Sequence, residues 1–295
     1  MYKNPVIQSI AGQTFAGTKV SIDTLRLDLI HPQVSGNKWF KLKYHIEEAL
    51  ASGKKGIISF GGAFSNHLVA LAYACRENGL ESIGIIRGEE PAIYGPSLQQ
   101  MKEFGMDLEF VSRETYKNKE LLSAGAMSKH PAFYIVAEGG GGEQGIKGAA
   151  EIMDIPGNDY THIICAVGTG TTLAGIINGS HDGQQVIGVS SLKVSDTSNN
   201  ELIDLMQLTG HDNYQILFDY HFGGYAKKDK TLIDFMNRFY AEEKIPTDFV
   251  YTGKLFYAVY DLMWKNYFKN ESKLLVIHSG GLQGNRSLEK GVLSF

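Results

Sequence analysis

Short β-branched runs alternate along the chain with longer segments whose apolar residues recur every three or four positions, and this alternation restricts the fold more than any other feature. Gly56 to Phe60, Ser82 to Ile86, Phe133 to Ala137, Thr161 to Val167, Gln185 to Ser190 and Lys273 to His278 read as strands. Asn66 to Gly79, Gln144 to Met153, Thr172 to Asn178, Asn200 to Thr209 and Leu232 to Glu243 read as helices. Strands and helices in turn argue for open, mainly parallel α/β sheets. In such sheets ligands bind where loops leave the carboxyl ends of strands, because backbone amides and helix N-termini point outward there. The chain has 34 glycines, and most of their clusters fall at those places: Gly61-Gly62, Gly139 to Gly142, Gly168 with Gly170, Gly223-Gly224 and Gly280-Gly281.

At 295 residues and 43% hydrophobic content the chain can fill one large core or two moderate ones. Its 28 basic and 32 acidic residues form no block of like charge, which argues against nucleic acid or anionic lipid as a partner and leaves small molecules. Cys75 and Cys165 sit in apolar runs and read as core thiols, which fits a reducing cytoplasm. Met1 to Pro5 lacks a signal-peptide pattern, and no apolar stretch is long enough to cross a bilayer. The nine histidines show no pairing at metal-ligand spacing, so no metal is expected. With no repeat or linker visible, a division into two domains requires two chain crossings.

Three segments carry chemistry. Ser35-Gly36-Asn37-Lys38-Trp39-Phe40-Lys41 places two lysines on one face of a helix entered at about Asn37; alone, such lysines read as solvated charges. Gly61-Gly62-Ala63-Phe64-Ser65-Asn66-His67 follows a strand and opens a helix, so Ser65 and Asn66 are natural cap residues that also present polar groups to a ligand. By itself His67 reads as a surface histidine. Val167-Gly168-Thr169-Gly170-Thr171-Thr172, between a buried strand and a helix, reads as a phosphate cradle, with bare backbone, hydroxyl donors and a favourable helix dipole. Gly140-x-Gly142-x-x-Gly145 matches a dinucleotide fingerprint on paper, but Asp159, the acid at about the right distance, falls in an expected turn, so a nicotinamide-dependent oxidoreductase is a minor reading.

The spacing of these segments resembles the fold-type II pyridoxal phosphate enzymes, in the branch of D-cysteine desulfhydrase and 1-aminocyclopropane-1-carboxylate deaminase. Members carry Gly-Asn-Lys-x-x-Lys-Leu followed by Ser-Asn-His or Ser-Asn-Gln, and the interval from Lys38 to Ser65 is similar to theirs. The resemblance implies a two-domain, tryptophan synthase β-like fold with helices on both faces of its sheets. It implies a large cofactor domain from residues 1–40 and 150–295, a small domain from 41–149, and a cytoplasmic homodimer. It makes Lys38 the lysine that bonds pyridoxal 5'-phosphate, Lys41 a phosphate ligand and Asn66 the partner of the phenolic oxygen. Gly168, Thr169, Gly170, Thr171 and Thr172 would hold the phosphate. Ser65, Asn66 and His67 would meet the substrate, flanked by Tyr225 in Gly223-Gly224-Tyr225 and Tyr251 in Val250-Tyr251-Thr252-Gly253-Lys254. Ile277-His278-Ser279-Gly280-Gly281 is similar to the family's last strand motif. Glu138-Gly139-Gly140 also has a counterpart there, which weakens the dinucleotide reading. Trp39, Phe40 and the shortened stretch between Asp28 and Gly36 depart from the pattern.

By the same resemblance Thr252, where the deaminases carry glutamate, would set a hydroxyl beside the cofactor's ring nitrogen, and Ser279 likewise matches the desulfhydrases. An acid there keeps the nitrogen protonated, whereas a hydroxyl leaves it neutral. The expected reaction is α,β-elimination from D-cysteine or a similar β-substituted amino acid, giving sulfide, keto acid and ammonia. The alternatives are 1-aminocyclopropane-1-carboxylate deaminase activity and non-catalytic binding of the cofactor.

Overall fold

The computed structural model describes residues 3–10, 19–34, 36–193, 202, 205–206 and 209–295; Ser35 and most of the helix expected over Asn200 to Thr209 lie outside them. The chain divides into two compact units, Met1–Asn37 with Ala149–Phe295, and Lys38–Gly148. In chain order the described elements begin with β1 (Val6–Ser9), β2 (Ser21–Arg26), α1 (Asn37–Ala51), β3 (Gly56–Gly62), α2 (Asn66–Glu77), β4 (Glu81–Arg87), α3 (Pro96–Glu103) and β5 (Met106–Val111). Then follow α4 (Lys119–Lys129), β6 (Phe133–Val136), α5 (Glu143–Ala150), β7 (His162–Val167), α6 (Thr171–Gly179), β8 (Gln185–Ser190), β9 (Tyr214–Leu217), α7 (Lys230–Glu243), α8 (Thr252–Trp264) and β10 (Lys273–His278).

The unit that holds both chain ends is built on a sheet of order β1-β2-β10-β7-β8-β9, parallel except for β1, which runs antiparallel to β2. Ile164, Ala166, Ile187, Val189, Leu274 and Val276 point to one face, where they join Phe235, Phe239, Phe256 and Tyr260 of α7 and α8 in one core. Gly188, out of phase with that set, faces α6, and a methyl group there would lie 2.8 Å from Leu173. Both faces are thus covered, which is why β7, β8 and β10 are buried almost end to end. From β7 the chain advances to β8 and β9, while β10 lies on the other side of β7. The crevice at the carboxyl ends of β7 and β10 is therefore a topological switch point, where ligands bind in sheets of this kind.

The second unit holds a fully parallel sheet of order β5-β4-β3-β6. Ile58, Phe60, Ile83 and Ile85 pack with Tyr116 and Ala126 on one face, while Leu68 of α2 reaches Gly61 and Gly84 on the other. The order reverses between β3 and β6, so Gly61 to Ser65 and Ala137 to Gly142 border this sheet's own switch point. Each expected strand forms to within two residues, and the open, mainly parallel α/β class is borne out. The sequence reading omitted β1, β2, β5 and β9. Three are edge strands, and β2 carries Arg26, a charge that sequence pattern assigns to the surface but that is buried against Asp28. Among the described residues no helix is long and apolar enough to cross a membrane.

Candidate active site

At the end of β7 the chain turns through Gly168-Thr169-Gly170 into α6. Gly170 has φ +84°, and a side chain there would also strike Leu202 at 2.5 Å, so glycine is required twice over. A methyl group on Gly168 would lie 3.0 Å from the Tyr251 ring, which leaves bare backbone beneath that tyrosine. The first amides of α6 have no intrahelical acceptor and point at the turn. Thr169 is exposed, whereas Thr171 and Thr172 are buried, and the Thr172 hydroxyl accepts a 2.7 Å hydrogen bond from the Asn37 side-chain amide. The Asn37 backbone N–H donates to Ser279 O at 3.2 Å, and Gly36, at φ +67°, passes so close to that carbonyl that any side chain would collide with it. The residue preceding Lys38 is thereby tied both to the turn after β10 and to the start of α6.

Beneath the turn lies a network in which every charge has partners. The Asp248 carboxylate accepts from the backbone N–H groups of Val250, Tyr251 and Thr252 and from the Thr252 hydroxyl at 2.7 Å. Burial pushes its pKa up, and the hydrogen bonds and His278 oppose that rise. Asp28 takes a bidentate pair from Arg26, and His278 lies 3.2 Å from it. The Tyr225 and Tyr251 rings meet edge to face with centroids 6.0 Å apart. One expectation needs correction: Thr252 gives its only hydroxyl proton to Asp248 and accepts from the Asp248 N–H at 2.8 Å. It has no proton left for a neutral ring nitrogen; no such hydrogen bond is found for the Ser279 hydroxyl.

In the second unit Ser65 caps α2, accepting from Leu68 N at 3.2 Å and keeping its own proton for another acceptor. Asn66 opens the helix, and His67, at 4% exposure, is a buried residue. Lys41 is 2% exposed, so the solvated reading of both residues is overturned: α1 buries Lys41 on its inner face, with His45 one turn on. A methyl group on Gly140, at φ +77°, would meet Lys41 Cε at 3.4 Å and His67 Cε1 at 3.5 Å. The glycine run that resembles a dinucleotide fingerprint thus serves close packing against two basic side chains. Burial holds Lys41 and His67 well below their ordinary pKa values, and the neighbouring Lys38 charge adds to both shifts. His45 falls to about 4, chiefly by burial, with the Gly140 and Gly141 backbone opposing. His67 Nδ1 is buried without a hydrogen-bond partner among the described residues. Lys38 is partly buried.

Sequence reasoning missed Asp248, whose signal is an acid just ahead of a helix, and His45, whose signal is its four-residue spacing from Lys41. An anionic group suits both places, one supplying free amides and bare backbone and the other buried basic side chains. Each sheet thus carries groups suited to an anion at its switch point, the arrangement expected of an α/β enzyme that works with a charged cofactor. Comparison with known proteins gives that class a family. The pattern described as pyridoxal-phosphate dependent enzyme matches residues 4–280. A Pyrococcus furiosus protein provisionally named 1-aminocyclopropane-1-carboxylate deaminase is 30% identical, covering 92% of this chain and 87% of its own length. The Arabidopsis thaliana mitochondrial bifunctional D-cysteine desulfhydrase/1-aminocyclopropane-1-carboxylate deaminase is 29% identical over 88% and 72%. A crystal structure of an ACC deaminase homologue superposes with TM-score 0.82 at 26% identity, covering 96% and 91%. The chain belongs to the fold-type II pyridoxal-phosphate dependent enzymes, in the desulfhydrase and deaminase family.

Proposed function

We propose that the chain catalyses α,β-elimination on a small β-substituted amino acid, with D-cysteine the leading substrate. The observation that carries this choice is the pair of hydroxyl residues Thr252 and Ser279, the first standing where the deaminases carry glutamate and the second where they carry leucine. Pyridoxal phosphate, when bound, supplies an aldehyde for amines and a ring that accepts electrons released at the substrate's α-carbon. In this reading Lys38 holds the aldehyde, Lys41 with Gly168, Thr169, Gly170, Thr171 and Thr172 holds the phosphate, and Asn66 the phenolic oxygen. With the cofactor in place, the Lys38 amine would be the base that takes the substrate's α-proton. The Ser65 hydroxyl, whose proton is not used in capping α2, donates to the substrate carboxylate beside His67, and Tyr225 and Tyr251 flank the substrate.

The test supplies D-cysteine, L-cysteine, β-chloro-D-alanine and 1-aminocyclopropane-1-carboxylate separately and follows sulfide and keto acid. Sulfide from D-cysteine is expected; turnover of the cyclopropane alone would overturn the assignment. That second reading is favoured by the names of the relatives. Lys38→Ala should lower the rate by roughly 10³-fold, within the range for loss of a general base, and borohydride followed by peptide mapping should label Lys38. A cytoplasmic homodimer belongs to the same proposal, and sedimentation of the purified protein tests the dimer.

A further inference from the structure

Lys254 is a lysine buried to 0% exposure in the first turn of α8. A cation at a helix N-terminus opposes the helix dipole, and its burial is costly in itself, so its place calls for a reason. Its ammonium donates to His221 O and Gly224 O, both at 2.8 Å, with Ser191 O at 3.5 Å. Three N–H groups meet three carbonyls, which ties the turn after β8 and the segment 221–224 to α8.

That segment is held in backbone conformations that need outside support. Phe222 and Ala226 have φ of +50° and +53°, and Gly223 and Gly224 have φ of +91° and +116°. Left-handed conformations at non-glycine residues persist only where surrounding contacts over-determine them. One stripe of α8 supplies those contacts: Lys254 grips the carbonyls, the Tyr257 ring meets Phe222 edge to face at 4.9 Å, and Asp261 accepts from the Tyr220 hydroxyl at 2.6 Å. Tyr251, three residues before Lys254, stands just ahead of the same helix, and Tyr225, which directly follows the segment, meets it ring to ring.

We propose that Lys254 is a positioning residue, clamping the 221–224 segment to α8 so that Tyr225 is set against Tyr251. Its relevance to catalysis rests on the reading of these tyrosines as neighbours of the substrate. The clamp differs from a reactive lysine, because all three of its protons are taken by carbonyls and no direction is left for attack on a carbonyl compound. Burial lowers its pKa to about 8, a shift that in isolation would mark it as a candidate for cofactor attachment; the geometry assigns it the other role.

The test has two arms. In unloaded protein, Lys254→Met should speed amide exchange at Gly223, Gly224, Tyr225 and Ala226 by roughly 10-fold or more while β7 and β10 stay protected, a local opening instead of a global one. In loaded enzyme acting on D-cysteine, Lys254→Met should raise KM by roughly 10-fold with kcat changed less than about 3-fold. The double variant Lys254→Met/Tyr225→Ala should then be no worse than Tyr225→Ala alone, since residues acting through one another are not additive. Unchanged exchange at residues 223–226, or additive losses in the double variant, would overturn the proposal. Should the methionine variant fail to fold, Lys254→Gln, which keeps two N–H donors, is put through the same measurements and judged by the same outcomes. If wild-type enzyme fails to turn over D-cysteine, the substrate assignment falls, and the exchange arm still decides the clamp.

Discussion

The two switch points differ in how their buried charges are satisfied. In the unit that holds both chain ends, Asp248 accepts four hydrogen bonds, Asp28 is paired with Arg26 and Lys254 is matched to three carbonyls. In the other unit Lys41, His45 and His67 are buried, and the charged groups that act on them are all basic. Folding completes the first arrangement. The second disfavours the protonated forms of its basic groups, and an anion beside them would favour those forms, the kind of perturbation that clusters at functional sites. Substitutions should therefore have opposite signs in the two places.

The largest effect is expected at Asp248. Asp248→Ala strands three backbone amides and the Thr252 hydroxyl in a dry site, and should cost about 3 kcal/mol or more, the range for breaking a buried charged network. Urea unfolding checks this through a lower midpoint at unchanged slope. A loss under about 1 kcal/mol would mean that the network relaxes onto water and that the contrast is overstated.

Acid should act mainly on the other unit. The folded pKa of His45 is about 4 against an ordinary 6.5, so between those values the unfolded chain binds more protons and stability falls as pH falls. The loss from His45 is on the order of 3 kcal/mol across that window, and His67, shifted in the same direction, adds to it. Unfolding followed at pH 7 and pH 4.5 measures the drop. Protein loaded with pyridoxal phosphate should lose less, because a nearby phosphate favours the protonated rings. Equal losses with and without the cofactor would place the anion elsewhere.

Smaller, and of opposite sign to Asp248→Ala, is Lys41→Met. Replacing a buried amine that has no acidic partner by an apolar side chain of similar length should stabilise unloaded protein by about 1 kcal/mol. The same change should weaken pyridoxal phosphate binding by roughly 10- to 100-fold, the value of a charge-assisted phosphate contact. Thermal melts of unloaded protein and a cofactor titration separate the two effects.

What the sequence made legible in these two sites was whatever local pattern controls. The glycine and threonine turn between β7 and α6, the Ser65 cap and the strands themselves depend on residues within a few positions of one another. Taken alone, Lys41 and His67 were misjudged as solvated because burial of a basic group is decided by residues far away in sequence. Asp248 passed unnoticed because what it binds is backbone, which has no letter code. The resemblance drew attention to position 252 but could not show that the Thr252 proton is spent on Asp248, since that bond depends on the path of the turn from 248 to 252.

The finest contrast between the units lies in a single proton on His67. The Ser59 hydroxyl lies 2.8 Å from Val136 O and 2.8 Å from His67 Nε2. A carbonyl can only accept, so the one hydroxyl proton goes to Val136, and His67 must donate its Nε2 proton to Ser59. The ring is neutral, held so by burial and by Lys38 and Lys41, and its lone pair therefore lies on Nδ1, the atom that has no partner in the fold. A buried acceptor among basic groups is suited to an N–H from an amine, which is what an amino-acid substrate or a released lysine would present. Ser59→Ala removes the acceptor that fixes this tautomer and should cost about 1 kcal/mol, the value of one buried hydrogen bond. Nitrogen-15 shifts of the His67 ring should show a single Nε2–H form in the parent and a mixture in the variant. A pure Nε2–H form in both would mean that a group other than Ser59 holds the proton there.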